Sequence, residues 1–131
     1  MLFHSFNNQE ERRAFGGSEF LELQFCQLER GIKIKSIVST KKIEHWNSAS
    51  LYVHGDDFDA FYEHYKDVFK NGTYNNLKSG NVDFFGINYY SPEQVDEMIN
   101  VIKEKQPKDY QVVLDWLNNA KVYNGVYILG V

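Results

Sequence analysis

Apolar residues recur along this chain with two periods, and the switches between them mark its elements. Over residues 20–28, Leu21, Leu23 and Phe25 alternate with Glu22, Gln24 and Cys26, the pattern of a half-buried strand. Residues 32–38 repeat it, with Ile32, Ile34 and Val38 alternating against Lys33, Lys35 and Ile37, and Glu29, Arg30 and Gly31 between the two runs predict a hairpin with glycine at positive φ. After a polar stretch broken by Ile43 and Trp46, residues 50–54 predict a third strand. The period then becomes helical. Over residues 56–70, Phe58, Phe61, Tyr62, Tyr65, Val68 and Phe69 share one face, while Asp56, Asp59, Glu63 and Asp67 line the other. Gly55 breaks the strand, Asp56 or Asp57 can cap the helix, and Asn71 with Gly72 supplies a left-handed stop.

Residues 81–90 predict another strand, a central one, because Val82, Phe84, Phe85, Ile87 and Tyr89 give it two apolar faces. Ser91, Pro92 and Gln94 form a helix start with a capping box, followed by Val95, Met98, Ile99 and Ile102 at helical spacing. Pro107 ends that helix and opens the next, where Tyr110, Val113, Leu114 and Leu117 repeat the stripe beside Trp116. Residues 123–131 stay apolar to the last residue, which predicts a strand paired inside a sheet. Residues 1–19 carry no assignable period before the break at Gly16 and Gly17. The order β-β-β-α-β-α-α-β predicts an α+β fold, a mainly antiparallel sheet with helices packed on one face, in a single globular domain spanning residues 1–131.

Composition narrows the function. Hydrophobic residues make up 43% of the 131 and aromatics 16%, enough for an aromatic-rich core. Fourteen Lys and Arg against eighteen Asp and Glu give a net charge of −4, which disfavours nucleic acid and anionic membrane surfaces as partners and favours a basic protein. The N-terminal residues lack a secretory pattern and no apolar run approaches membrane-spanning length, so the expected location is cytoplasmic. The single cysteine, Cys26, excludes an internal disulfide and reads as an inert sheet residue.

Catalytic signals are thin. His54, Asp56 and Asp57, with Glu63 and His64, are the residue types of acid–base chemistry or of a divalent metal site, and they carry the alternative reading of a small hydrolase or metal-dependent enzyme. Their spacing fits helix capping better: His54 ends a strand, and His64 lies beyond the first turn. Gly16 and Gly17 are not followed by Lys-Ser or Lys-Thr, so no phosphate loop is present, and no cofactor or metal is implied. Trp46 with His45, Lys41 and Lys42 reads either as a ligand loop or as an aromatic anchor. Tyr89 and Tyr90 offer either contact area for a partner or core material.

The acidic stripe of Asp56, Asp59, Glu63 and Asp67 is either a solvated face partly neutralised by Lys66 and Lys70, or a docking ridge in which charge steers a basic protein and Trp46, Tyr89 and Tyr90 hold it. A small acidic α+β domain of this kind, with a C-terminal half running from Asn88-Tyr89-Tyr90-Ser91-Pro92-Glu93 through Asp115-Trp116-Leu117 to Gly125-Val126-Tyr127-Ile128-Leu129-Gly130, resembles the immunity proteins of bacterial polymorphic-toxin and contact-dependent growth inhibition systems. The resemblance implies a non-enzymatic protein that neutralises a cognate toxin, often a nuclease, by covering its active site or substrate surface. A self-associating accessory domain is a third reading, which an exposed apolar surface larger than the acidic ridge would favour.

Overall fold

The computed structural model describes residues 1–17 and 19–131, and of Lys42 the backbone alone. Helix α1 (Gln9–Phe15) precedes strand β1 (Phe20–Phe25), short helix α2 (Ile34–Ile37) and strand β2 (Leu51–His54). Helix α3 (Phe58–Tyr65), the two-residue strands β3 (Gly72–Thr73) and β4 (Ser79–Gly80), and strand β5 (Ile87–Tyr90) follow. Helices α4 (Pro92–Lys105) and α5 (Tyr110–Asn119) lead to β6 (Val126–Leu129). One six-stranded antiparallel sheet results, in the order β2-β1-β6-β5-β3-β4. The fold is α+β, as the two periods predict.

The long helices lie on one face of the sheet. Leu21, Leu23, Val53, Tyr90, Val126 and Ile128 meet Phe61 and Tyr65 of α3, Val95, Met98, Ile99 and Ile102 of α4, and Val113 and Leu117 of α5 in one core. Local chemistry fixes where these helices begin and end. Ser91 Oγ accepts from Gln94 N while Gln94 Oε1 accepts from Ser91 N, a completed capping box at the start of α4. Gln106, left-handed at φ 46°, ends it. Asn71, left-handed at φ 62°, sits where the stop after the acidic helix is predicted.

Three predicted elements differ. Residues 32–38 are not a strand, because both edges of β1 are taken: Leu21 pairs with Val53 of β2 and Leu23 with Ile128 of β6. With no edge left, that segment crosses the opposite face of the sheet, where Ile37 and Val38, helped by Ile32 and Ile43, cover Cys26, Tyr89, Tyr127 and Leu129. Gly31 keeps its predicted positive φ, at 91°. The strand predicted over residues 81–90 shrinks to β5. Asp83 Oδ1 accepts from Phe85 N, and Asn88, buried in the strand, accepts from Asp83 N and donates to the carbonyls of Asp83 and Ile128, so side chains fold residues 83–86 into a turn. The acidic helix is shorter than residues 56–70, ending at Tyr65.

The N-terminal residues join the fold. Leu2 and Phe3 enter the main core, Phe6 packs on Phe20 and Tyr52, and His4 pairs with Tyr52 along the outer edge of β2. The sheet is therefore covered on both faces, and the edge of β2 is not left open.

Candidate functional site

The acidic rim begins where β2 runs into α3. Residues Gly55–Asp57 form a 3-10 turn, and the side chain that caps it is His54, whose Nδ1 accepts from Asp56 N at 3.1 Å. Neither Asp56 nor Asp57 makes the predicted cap: Asp57 is the residue before α3 but its side chain accepts no cap bond. Burying Phe61 and Tyr65 on the sheet leaves Asp59 and Glu63 on the solvent side of α3. Asp56 precedes the helix and Asp67 follows it, so the predicted continuous stripe is a pair of helical carboxylates flanked by two exposed loop carboxylates. Lys66 and Lys70 form no ion pair with Glu63 or Asp67 among the described residues; the cation beside Asp67 is Lys105 of α4, at 3.3 Å. That pair is surface-exposed and contributes little.

The tyrosines expected to help this rim are elsewhere. Tyr89 is 2% exposed and Tyr90 fully buried, because β5 is an interior strand and the two side chains point into the cores on its two faces. The 83–86 turn presents Phe85, which is 79% exposed. Its neighbour Phe84 packs on Phe58 and Tyr62 of α3 with ring centroids 5.2 and 6.1 Å away. The signal for it in the sequence is Asp83 with Gly86, a turn signature that the flanking apolar residues overshadow.

The residues of the acid–base reading are divided. His54, Asp56 and Asp57 line one shallow cleft with Phe15, Gly16 and Gly17, but His64 lines no part of it and is exposed on α3. The His54 ring donates through Nε2 to the Gly16 carbonyl at 3.0 Å and accepts at Nδ1, so both nitrogens are engaged by backbone and tie α1 to the start of α3. Among the described residues no group of three or more His, Cys, Asp or Glu side chains is placed to hold a metal ion. Cys26 is buried against Tyr127, its Sγ 3.5 Å from the hydroxyl.

A buried carboxyl group that alternation places on the solvent side lies on the other face of the sheet. Glu22 is 3% exposed, because β1 is central and its second face is covered too. Its Oε2 accepts from Ser50 Oγ at 2.7 Å and Gln24 Nε2 at 2.9 Å. The Tyr52 hydroxyl shares its one proton between that oxygen at 3.2 Å and the Asn47 carbonyl at 3.0 Å. Oε1 is buried and has no hydrogen-bond partner among the described residues. Burial pushes the Glu22 carboxyl up from the ordinary range, against the opposing pull of the bonds from Gln24, Ser50 and Tyr52 and the charge of His45. Trp46 stacks on Tyr52 at 5.6 Å with 18° between the rings, and the Arg12 guanidinium stands 5.5 Å from both ring centroids. The indole therefore anchors its loop, as one of its two readings expects. Lys41 is exposed, and the side chain of Lys42 lies outside the described residues.

The raised Glu22 pKa has a definite consequence. The folded protein holds this proton to higher pH than the unfolded chain, so stability is lost as pH rises from the ordinary glutamate range through the folded value. Glu22→Gln removes the titration and keeps the shape. Relative to wild type, the variant should gain stability steadily as pH rises through that interval in denaturant melts; a pH-independent difference would show that Glu22 titrates normally.

Among the described residues no helix is long and apolar enough to cross a membrane. Comparison with protein-family models, curated proteins and solved structures finds no significant match, so the chain's own geometry carries the functional argument.

Proposed function

We propose that this domain is a non-enzymatic, cytoplasmic protein-binding module of the immunity type, which neutralises a basic toxin, with a nuclease the favoured class, by laying the acidic rim of α3 against it. The observation that carries the reading is the state of Asp59 and Glu63: both are exposed on one helix face, with no cation in ion-pair range among the described residues, on a chain of net charge −4. Unpaired carboxylates on a rigid element keep their field available to steer a cationic partner. Phe85, exposed next to the Phe84 that packs on Phe58 and Tyr62 of α3, takes the anchoring role expected of Tyr89 and Tyr90, since aromatics at interface centres slow dissociation. Nucleic acid fits this rim poorly, because phosphates and carboxylates repel.

The test is direct. Tagged protein should retain one stoichiometric basic partner whose binding weakens with salt. Asp59→Lys with Glu63→Lys should weaken it on the order of tenfold or more. Stability should fall by only about 0.3–1 kcal/mol, the loss of a favourable charge in the first turn of α3. Undiminished retention by a folded double variant would remove the rim from the mechanism.

A further inference from the structure

A second cleft, which shares no residue with the acidic rim, is lined by Gln24, whose amide bonds the buried Glu22. Gln24, Gln27, Glu44, Trp46, Asn47 and Tyr127 line it. Its volume, about 230 Å³, lies below the roughly 300–1,000 Å³ of pockets that hold drug-sized ligands, so it admits a group the size of one side chain and not a nucleotide. Its polar and aromatic lining brings one carboxylate, three carboxamides, an indole and a phenol, and among the described residues it includes no Lys or Arg.

Gln24 joins this cleft to the buried carboxyl. Its Nε2 donates to Glu22 Oε2 at 2.9 Å and to the Glu44 carbonyl at 2.7 Å, so a single amide stands between Glu22 and the opening. Glu22 brings a buried carboxyl with one oxygen unpartnered among the described residues, and a positive charge nearby favours its ionised form. The same aromatic platform already takes a guanidinium from within the chain, since Arg12 stands 5.5 Å from the Trp46 and Tyr52 centroids. A planar guanidinium stacks on an indole and presents five donors, whereas an ammonium is a compact and strongly hydrated charge.

We infer that this cleft receives a guanidinium group, stacked on Trp46, paired with Glu44 and attracted by Glu22 across the Gln24 amide. The group belongs either to a small free guanidine compound or to an arginine of another protein, and the chemistry of recognition is the same.

The experiment titrates isotope-labelled protein with ethylguanidinium, ethylammonium, N-acetyl-arginine amide and an arginine-containing peptide, following side-chain N–H signals by NMR. Ethylguanidinium should shift the Trp46 indole and the carboxamides of Gln24, Gln27 and Asn47 saturably, and ethylammonium far less. The Trp116 indole, which donates to the Ala49 carbonyl outside the cleft, should stay in place. Glu44→Gln and Glu22→Gln should each weaken the response severalfold. Glu44 is exposed, so its variant keeps the test valid even where Glu22→Gln fails to fold. Tighter binding of the peptide than of the free head group identifies a protein arginine as the occupant, and equal binding identifies a small ligand. A response that does not saturate, that ethylammonium reproduces, or that survives Glu44→Gln undiminished overturns the assignment.

Discussion

Phe61→Ala is expected to lower the unfolding free energy by about 3–5 kcal/mol, the cost of emptying a fully buried aromatic position. Phe61 has no exposed surface and sits among four other rings: Tyr65 at 5.5 Å and Phe69 at 5.8 Å, both stacked, Phe3 edge-on at 6.1 Å, and Phe84 at 6.2 Å. Phe3, Phe69 and Phe84 come from three segments outside α3, so the cavity opens where the N-terminal segment, the helix with the residues that follow it, and the 83–86 turn meet. Local collapse cannot fill it without moving one of those segments, which places the cost toward the upper end. Native domains have about 5–15 kcal/mol in total, so the variant should lose a large share of its stability and melt on the order of 10–20 °C lower. Chemical denaturation measures this. Phe85→Ala is the control: its ring is mostly in solvent, and truncation should change stability by no more than about 0.5 kcal/mol. Equal effects for the two would mean that the buried face of α3 is assigned wrongly.

The face of α3 was legible because it rests on a local period that the tertiary structure preserves: Phe61 and Tyr65 are buried, as are Val68 and Phe69 just past the helix, and Asp59 and Glu63 are not. The start of α4 was legible for the same reason, its signals lying within four residues. What failed depended on partners far away in the chain. Residues 32–38 have the alternation of a strand, but β6, about ninety residues later, occupies the edge they would need. Glu22 alternates as a solvent residue should, yet its carboxyl is buried against Ser50 and Tyr52, which come from about thirty residues later in the chain. Tyr89 and Tyr90 followed the same logic, since a strand's exposure is decided by its neighbours and not by its own sequence. The candidate site was half legible: Asp59 and Glu63 from the helix, but neither Phe85, hidden in a false strand, nor the Glu22 cleft, which requires the full sheet.

Gly125→Ala should be nearly as damaging as the loss of the Phe61 ring, although it adds one methyl group and removes nothing. Gly125 adopts φ 82°, where an alanine pays about 1–2 kcal/mol for its backbone alone. The added Cβ would also collide with the Tyr90 carbonyl oxygen and lie 3.0 Å from the Tyr89 hydroxyl. Neither can retreat cheaply. Tyr90 is paired with Val126 in the sheet, and the Tyr89 hydroxyl donates to the Asn124 carbonyl at 2.7 Å. The turn itself is held from the other side, where Gly125 O accepts from Cys26 N and Asn124 N donates to Cys26 O, each at 3.0 Å. Relief of the clash therefore requires β6 to part from β5 or β1, and β6 is the strand that joins the two halves of the sheet. The expected loss is about 3–5 kcal/mol, read by denaturant unfolding. Gly31→Ala separates the two contributions: Gly31 has φ 91° but a Cβ there meets nothing within 4 Å among the described residues, so only the backbone cost of about 1–2 kcal/mol remains. The excess of Gly125→Ala over Gly31→Ala measures how tightly the last strand is clamped, and no excess would mean that the close approach of Gly125 to Tyr90 does not constrain the fold.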